Sequence, residues 1–395
     1  FPDVSFYFGK SNGETTINNA SDLCLYLLEK AHVSLVTGEA FGDPNCIRLS
    51  YAASEENLRK AVTRITDALS TLMTYNSIEE VFEAFKKLKV LIIGDVMIDA
   101  YIYGSAERIS PEAPVPIVRV RRKEKRLGGA ANVALNIQAL GAEPILCSVI
   151  GDDEDGKNFI ALLQNQNISS KGIIQSGNRI TTIKHRVLAG SQQMLRIDEE
   201  SDNSLNTIEE KSLIGHITNL LTEVDLVIFE DYDKGTLNKR VIAETIKLAN
   251  EQGKPTIVDP KKKNFKHYNN ATLFKPNLKE LNDGLKIEVD PNSQVSLDKS
   301  IESFMEKSGH RNVMITLSEK GIYIKGGSKS HIIPAHLRKI ADVSGAGDTV
   351  VSIAGLCLVL GLSDYLVAEL ANLGGGLVCE YLGVVPIDKE QLIKE

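Results

Sequence analysis

Close cysteine pairs are missing from this chain. The five cysteines, Cys24, Cys46, Cys147, Cys357 and Cys379, are odd in number and scattered, which disfavours a cysteine-bound metal and points to a reduced, cytoplasmic setting. Nor do the seven histidines form a metal constellation: His331 and His336 are five apart and the rest are isolated. No basic-then-apolar leader opens the chain. Its most apolar stretch, Val350 to Leu362, is broken by Ser352, Gly355 and Gly361 and falls short of a membrane span. Positive charge is not in excess, since 45 Lys+Arg against 52 Asp+Glu leave a net charge of -7, so neither nucleic acid nor an anionic membrane is an expected partner. A Walker A loop and a spaced G-x-G-x-x-G fingerprint are both absent, so the P-loop and Rossmann dinucleotide readings lose support.

What is present fits a globular α/β protein of 395 residues, 43% hydrophobic and 25% charged, long enough for one large domain plus an appendage. From Lys89 onward short apolar runs alternate with helical stretches: Val90 to Gly94, Ile145 to Ile150, Leu226 to Phe229, Thr256 to Val258 and Val313 to Thr316. Nearly continuous apolar strands predict a doubly wound, mostly parallel sheet covered by helices on both faces. Tyr101 to Leu127 holds three prolines and the alternating stretch Val115 to Val120, and Val187 to Ile197 alternates likewise. Together they predict a small β lid at about 100–127 and 180–197, beside a cleft. The domain organisation expected is 1–72 as appendage, 73–88 as linker and first helix, and 89–395 as the large domain. The first residue is Phe, and Met73 is a candidate start.

Two glycine-rich turns carry chemistry. The first, Gly128-Gly129-Ala130-Ala131-Asn132, opens a predicted helix; paired glycines leave room for a polyol against the backbone, and Asn132 offers both donor and acceptor. The second, Asp342 to Thr349, precedes the apolar helix Val350 to Leu360, so that small residues and a helix start form an anion hole with Asp348 at its edge. A carboxylate there suits proton abstraction from an attacking hydroxyl; the alternative is a helix cap beside a turn. In Pro276-Asn277-Leu278-Lys279-Glu280, Asn277 and Glu280 share a helix face, and they read equally as a cap with a first-turn acid.

On these motifs, residues 89–395 resemble the ribokinase or PfkB family of carbohydrate kinases. The resemblance implies ATP with Mg²⁺ as cofactor, and in some members a monovalent cation. It implies Asp348 as catalytic base, with the N–H groups of Gly345, Ala346 and Gly347 steadying the transferred phosphoryl. Asp99, Gly128, Gly129 and Asn132 fall to the sugar, Asp99 being expected as a strand-end carboxylate. Asn277 and Glu280 arrange Mg²⁺ and phosphates, Glu280 through water or phosphate, while Lys261, Thr316, Ser318, Gly321 and Asn372 line the nucleotide pocket. Ile353 stands where a small residue is usual and reads as a packing change behind the site. A homodimer joined through the lid is the family expectation.

The likeness sharpens in Gly94 to Tyr103, in Arg108 to Pro116, in Asp231-Tyr232-Asp233-Lys234-Gly235 and in Asp259-Pro260-Lys261, which look like bacterial D-glycero-D-manno-heptose 7-phosphate kinases. That implies transfer from ATP to the anomeric hydroxyl, in ADP-heptose and lipopolysaccharide core synthesis, and adds Asp231 to the substrate residues. A phosphorylated sugar needs cations, and Arg108, Lys184, Arg186 and Arg196 are placed to supply them. The basic run Arg119, Arg121, Arg122, Lys123, Lys125 and Arg126 reads instead as solvated lid surface. Relatives often continue into a nucleotidyltransferase domain; with Glu395 following soon after the last predicted helix, only the kinase step is expected. The competing readings are a kinase with another sugar, sugar-phosphate or nucleoside acceptor, and a non-catalytic sugar or nucleotide sensor.

Residues 1–72 resemble the C-terminal end of an aspartate aminotransferase, on Ile17-Asn18-Asn19, Leu23 to Ala31, Gly38 to Gly42 and Cys46 to Ala52. By that likeness Arg48 grips a carboxylate, and an amino-acid-binding module built on it is the other minority reading. The lysine that would bind pyridoxal phosphate lies outside the matching part, so no pyridoxal phosphate is expected and the piece reads as a non-catalytic remnant.

Overall fold

The predicted strands after Lys89 all form, because each is apolar on both faces and can be buried only between helices. The computed structural model describes residues 1–395 apart from 12–14, 70, 71, 73, 74, 76, 191 and 337; Met73, the candidate start, lies outside the described residues. The chain divides into two compact units, Phe1–Ala84 with Leu360–Leu366, and Phe85–Val359 with Val367–Glu395. The division after Ala84 lies within residues 73–88, the segment read from sequence as linker and first helix.

The smaller unit contains α1 (Ala20–Ala31), the short pair β1 (Val36–Thr37) and β2 (Ile47–Arg48), α2 (Glu55–Leu69) and α3 (Ile78–Phe85). Asn19 caps α1 by accepting from Asp22 N–H at 2.9 Å. One face of α1, through Leu23, Tyr26 and Leu27, joins Val4, Ile17, Ile47 and Ala68 in a small core. Leu25 and Leu28 on the opposite face stay exposed. Arg48 is exposed too, its guanidinium 4.8 Å over the Phe41 ring.

In the larger unit, β3 (Lys89–Gly94) leads directly into β4 (Val96–Ile109) and β5 (Pro116–Gly129), then α4 (Ala130–Leu140), β6 (Glu143–Gly151), α5 (Glu154–Asn165) and β7 (Gly172–Ser176). There follow β8 (Ile183–Ala189), β9 (Gln192–Glu199), α6 (Thr207–Leu221), β10 (Leu226–Glu230), α7 (Lys239–Glu251), β11 (Thr256–Asp259), β12 (Leu273–Phe274), α8 (Leu278–Leu285) and α9 (Gln294–Ser308). The chain closes with β13 (Asn312–Thr316), β14 (Ile322–Gly326), β15 (Lys329–Ile333), α10 (Ala346–Val359), α11 (Asp364–Val378) and α12 (Lys389–Lys394). Nine strands form the main sheet in the order β15-β14-β13-β12-β11-β10-β3-β6-β7. It is parallel from β7 to β13, with β14 and β15 added antiparallel at one edge.

Strand alternation sorts the two faces. Val227 and Phe229 of β10 and Val258 of β11 enter a core with Leu213 and Ile217 of α6 and Val241 and Ile242 of α7. Leu226, Ile228 and Ile257 point the other way, onto α10, where the missing side chain of Gly355 lets the helix approach: a Cβ there would lie 2.8 Å from Leu226 Cδ2 and 3.2 Å from Ile257 Cδ1. Ile353, fully buried, fills the space above Gly374 of α11, whose Cβ would collide with Ile353 Cδ1.

The lid is a separate four-stranded sheet in the order β5-β4-β8-β9. The segment read from sequence as one alternating stretch is in fact a hairpin of β8 and β9. Registers place Asp99 opposite Arg126 and Lys184, Tyr101 opposite Glu124 and Arg186, and Arg186 opposite Arg196. Opposed residues share a face, so one side of the lid carries this charged set.

Candidate active site

The same alternation decides which acids meet beyond the strand ends. Glu230 and Asp259, the last residues of β10 and β11, continue the Ile228 and Ile257 face toward α10. There they meet Asp348, in the first turn of α10 and 4% exposed. Gly345 turns the chain into this helix at φ 82°, a conformation that favours glycine. Asp348 Oδ2 accepts from Asn132 Nδ2 at 2.6 Å, and Oδ1 accepts from the Tyr232 hydroxyl at 2.9 Å. Burial pushes the Asp348 carboxyl up to about 6, against the lowering effect of those two hydrogen bonds; Asp259 raises it further and Lys261 lowers it. A carboxylate poised near neutrality is matched to accepting a proton at physiological pH.

Two lysines compensate the acids. Lys275, 2% exposed, places Nζ 2.9 Å from Asp259 Oδ2, and Lys261 Nζ sits 2.6 Å from Glu280 Oε1 and 3.7 Å from Asp259 Oδ1. Burial alone would raise the Asp259 carboxyl, but the two lysines hold it below its usual range. Glu230 goes the other way: burial, then Asp259 and Asp348, drive it well above the usual carboxylate range. Among the described residues neither Glu230 oxygen has a hydrogen-bond partner, and the same holds for Asp259 Oδ1 and Asn132 Oδ1. Unspent buried acceptors beside two lysines leave room for a ligand that brings its own donors and negative charge.

The anion hole is close to this network, since a Cβ on Gly347 would lie 3.5 Å from Asp259 Oδ2 and 3.8 Å from Lys275 Nζ. As a first-turn residue of α10, Gly347 has an N–H without an intrahelical acceptor. Ala346 differs from expectation, because its N–H donates to Val343 O at 3.3 Å and is engaged in this conformation. Asp342 anchors the loop by accepting from Ser344 N–H and Gly383 N–H.

On the lid side, Gly128 lies against Asp99, so that a Cβ would collide with its carboxylate, and Gly129 is held at φ 59° over the Asp95 carbonyl. Asp99 is not at the end of a core strand as the sequence reading had it. It lies within β4 of the lid and pairs with Arg186. The true strand-end carboxylate after β3 is Asp95, 1% exposed, which accepts from Tyr232, Lys234 and Thr236 N–H groups and so fixes the loop after β10. Arg186 and Arg126 approach the Tyr101 ring at 5.5 and 4.9 Å, and Arg126 also donates to Val384 O at 3.0 Å.

Several sequence-chosen residues stand elsewhere. Asp231, just past β10 and on the opposite side from Glu230, is fully buried; it accepts from Tyr268 at 2.8 Å, Asn264 at 3.0 Å and Asp233 N–H at 2.8 Å. All these partners are structural, so Asp231 is a core carboxylate rather than a sugar ligand; burial, then Asp95, raises it to about 7. Arg108 is exposed toward the far end of β4, about 30 Å of strand beyond Asp99 at roughly 3.3 Å per residue, and is not brought to this cleft. Lys184 is present on the charged face but already bridges Asp198 and Glu200, and the half-exposed Arg196 pairs with Asp198.

Asn277 and Glu280 form a reciprocal capping box at the start of α8 while Glu280 keeps its bond to Lys261, so the pair is a helix cap in this structure. Thr316 bridges to Asn277, Gly321 abuts the Ile333 carbonyl at φ 91°, and Asn372 donates to Pro334 O at 2.7 Å. Ser318, at φ 55°, lies in the turn between Thr316 at the end of β13 and Gly321 just before β14. Sequence reasoning did not single out Glu230 or Lys275, quoted Asp95, Tyr232 and Asp259 only within stretches that carry the resemblance, and read Arg126 as lid surface. For Lys275 there was a signal: a lysine directly after the apolar run Leu273–Phe274 is costly to bury and so implies a carboxylate partner.

An open α/β sheet with its crevice beyond the strand ends, a buried carboxylate at a helix start and a cationic lid define a sugar kinase. Comparison with known proteins agrees: residues 87–390 match the family described as pfkB family carbohydrate kinase, and the chain belongs to that family. Among curated proteins it is similar to the Bifunctional protein HldE of Helicobacter pylori (strain G27), 38% identical over 304 residues that cover 77% of this chain and 65% of that one. The Bifunctional protein HldE of Desulfatibacillum aliphaticivorans is 37% identical over 309 residues, covering 78% and 63%. The chain thus spans somewhat under two thirds of the length of these relatives. Among solved structures, phosphofructokinase-2 from Escherichia coli in complex with potassium aligns with a TM-score of 0.64 at 19% identity, over 78% of this chain and 97% of that one. Arabidopsis thaliana ribokinase complexed with ribose and ATP aligns with a TM-score of 0.60 at 16% identity, over 78% and 99%. At these identities the two structures establish the fold.

Proposed function

We propose that the larger unit transfers the γ-phosphoryl of ATP to the anomeric hydroxyl of D-glycero-β-D-manno-heptose 7-phosphate, giving the 1,7-bisphosphate. The observation that carries the kinase chemistry is Asp348, buried at the head of α10 between Asn132 and Tyr232. The acceptor hydroxyl gives its proton to Asp348, its oxygen lone pair forms the new O–P bond, and the bond from phosphorus to ADP breaks with its electrons leaving on ADP. Gly345 and Gly347 favour the charge on the moving group, and Lys261 and Lys275 face the phosphates. The acceptor is narrowed by the HldE relatives, a name that denotes heptose 7-phosphate kinase joined to heptose 1-phosphate adenylyltransferase, and by the Arg186 and Arg126 face of the lid. The step belongs to ADP-heptose and lipopolysaccharide core synthesis.

ATP brings Mg²⁺, which withdraws electron density from the phosphates when bound. The donor set fits a cation that keeps much of its water and phosphate shell: Glu280 stands beside Lys261 at the nucleotide wall, where it would act through water. A monovalent cation is supported by the potassium in the Escherichia coli neighbour. We place the enzyme in the cytoplasm as a homodimer joined through the lid, with sugar phosphate and ATP as partners. The aminotransferase-like residues 1–72 are a non-catalytic appendage without pyridoxal phosphate, and a chain starting at Met73 keeps its turnover.

The test is ATP consumption with three acceptors. Turnover with the heptose 7-phosphate should far exceed that with fructose 6-phosphate or ribose. Comparable rates for all three would overturn the acceptor assignment while leaving the kinase reading intact.

A further inference from the structure

We propose that Tyr232 is a positioning residue for the base: its hydroxyl occupies Asp348 Oδ1 and thereby reserves Oδ2 for the proton of the acceptor. The inference rests on the reading of Asp348 as the base and deepens it. Tyr232 donates to Oδ1 at 2.9 Å, and among the described residues the only other side chain bonded to the carboxylate is Asn132, whose Nδ2 donates to Oδ2 at 2.6 Å.

The two holders are not equivalent. Tyr232 is fixed from behind, because its own N–H donates to Asp95 Oδ2 at 2.9 Å and the N–H groups of Lys234 and Thr236 tie the same loop to Asp95 at 3.0 and 2.9 Å. Its phenol is kept protonated, first by burial and then by the negative charge of Asp348, so it remains a donor throughout the working pH range. Asn132, by contrast, sits on α4 with its carbonyl oxygen buried and without a partner. That oxygen can accept from a sugar hydroxyl while the reacting hydroxyl donates to Oδ2 in place of Asn132 Nδ2. Substrate therefore competes with Asn132 and not with Tyr232, and the carboxylate is held by one oxygen while it works through the other.

Asp348 is faced by Asn132 from α4, Tyr232 from the loop after β10, Asp259 from β11, Lys261 from the turn after it, and Glu230 from β10. Of the two hydrogen bonds, the one from Tyr232 persists with substrate bound. Losing it removes a donor from the ionised form, and the base must titrate higher.

The experiment uses the full chain with Tyr232→Phe and, separately, 3-fluorotyrosine placed at position 232, which makes the phenol a stronger donor. For Tyr232→Phe, kcat at pH 7 should fall roughly 10- to 100-fold with both KM values nearly unchanged, and the acid limb of the kcat profile should move up by about one pH unit. The fluorinated enzyme should move the limb the opposite way. A profile that stays in place in either protein overturns the inference. If Tyr232→Phe does not fold, the fluorinated enzyme, which adds a single small atom, decides alone. Asp348→Asn, run alongside, separates the two ideas. An active Asp348→Asn enzyme removes the base and this inference together, whereas an inactive one beside an unshifted Tyr232→Phe profile removes the inference only.

Discussion

Replacing Asp348 by Asn should change stability in a way that depends on pH, and the size follows from the site. The carboxyl is fully enclosed and pushed up to about 6 from an ordinary value of 3.8. Each pKa unit corresponds to about 1.4 kcal/mol, so keeping Asp348 ionised at pH 7 costs the folded state about 3 kcal/mol relative to the unfolded chain. Because the folded pKa is raised, the native protein is at its best, relative to the variant, below pH 4. It loses that ground as pH rises from about 4 to 6, and the difference is flat above. Asn has one acceptor for two donors, Asn132 Nδ2 and the Tyr232 hydroxyl, which imposes a penalty of about 1–3 kcal/mol. That penalty does not vary with pH, so it offsets the curve without changing its shape. Urea unfolding followed by circular dichroism at pH 4.5, 5.5 and 7.5 should therefore show Asp348→Asn gaining on the native protein by about 2 kcal/mol between the first and the last of these, the remaining ~1 kcal/mol falling below pH 4.5. A gap that stays constant over the range would refute the claim that a strained, buried carboxylate sits at the head of α10.

The remaining predictions bear on neighbouring groups. Lys275→Met leaves Asp259 buried beside Glu230 without its 2.9 Å partner; a loss of about 3–5 kcal/mol in unfolding free energy is expected, and a loss below 1 would contradict the pairing. Gly128→Ala drives a methyl into the Asp99 carboxylate, so a destabilisation of about 1–3 kcal/mol should accompany a raised KM for the sugar but not for ATP. Arg186→Gln removes the guanidinium between Asp99 and Tyr101. Acceptor KM should rise about 10- to 100-fold, as befits a lost charge-assisted pair, and an unchanged KM would show that Arg186 holds Asp99 alone.

Much of the fold was legible because burial on both faces leaves strands such as Val90 to Gly94 and Leu226 to Phe229 almost wholly apolar. The glycine turns were legible because close approach needs them: Gly128 against Asp99, and Gly345 at φ 82° into α10. What failed was facing. Glu230 and Asp231 are adjacent acids, and only the register of β10 against its neighbours sends the first to Asp348 and the second to Tyr268. Arg126 was read with a solvated basic run, yet pairing in register with Asp99 sets it on the cleft side of the lid. Arg108 lies on the same strand as Asp99, but strand length carries it out of reach. The Asn277–Glu280 pair shows that a cap and a ligand-ready acid are not exclusive, since Glu280 closes the capping box with one oxygen and holds Lys261 with the other.

The central claim is that Asp348 takes the proton of the attacking hydroxyl, and a crystal structure of the ternary complex with heptose 7-phosphate and a non-hydrolysable ATP analogue tests it most directly. The account places Asp348 Oδ2 within about 2.6–3.2 Å of the anomeric oxygen, with Tyr232 still on Oδ1. An anomeric oxygen lying beyond the reach of that carboxylate, directly or through one water, would contradict it.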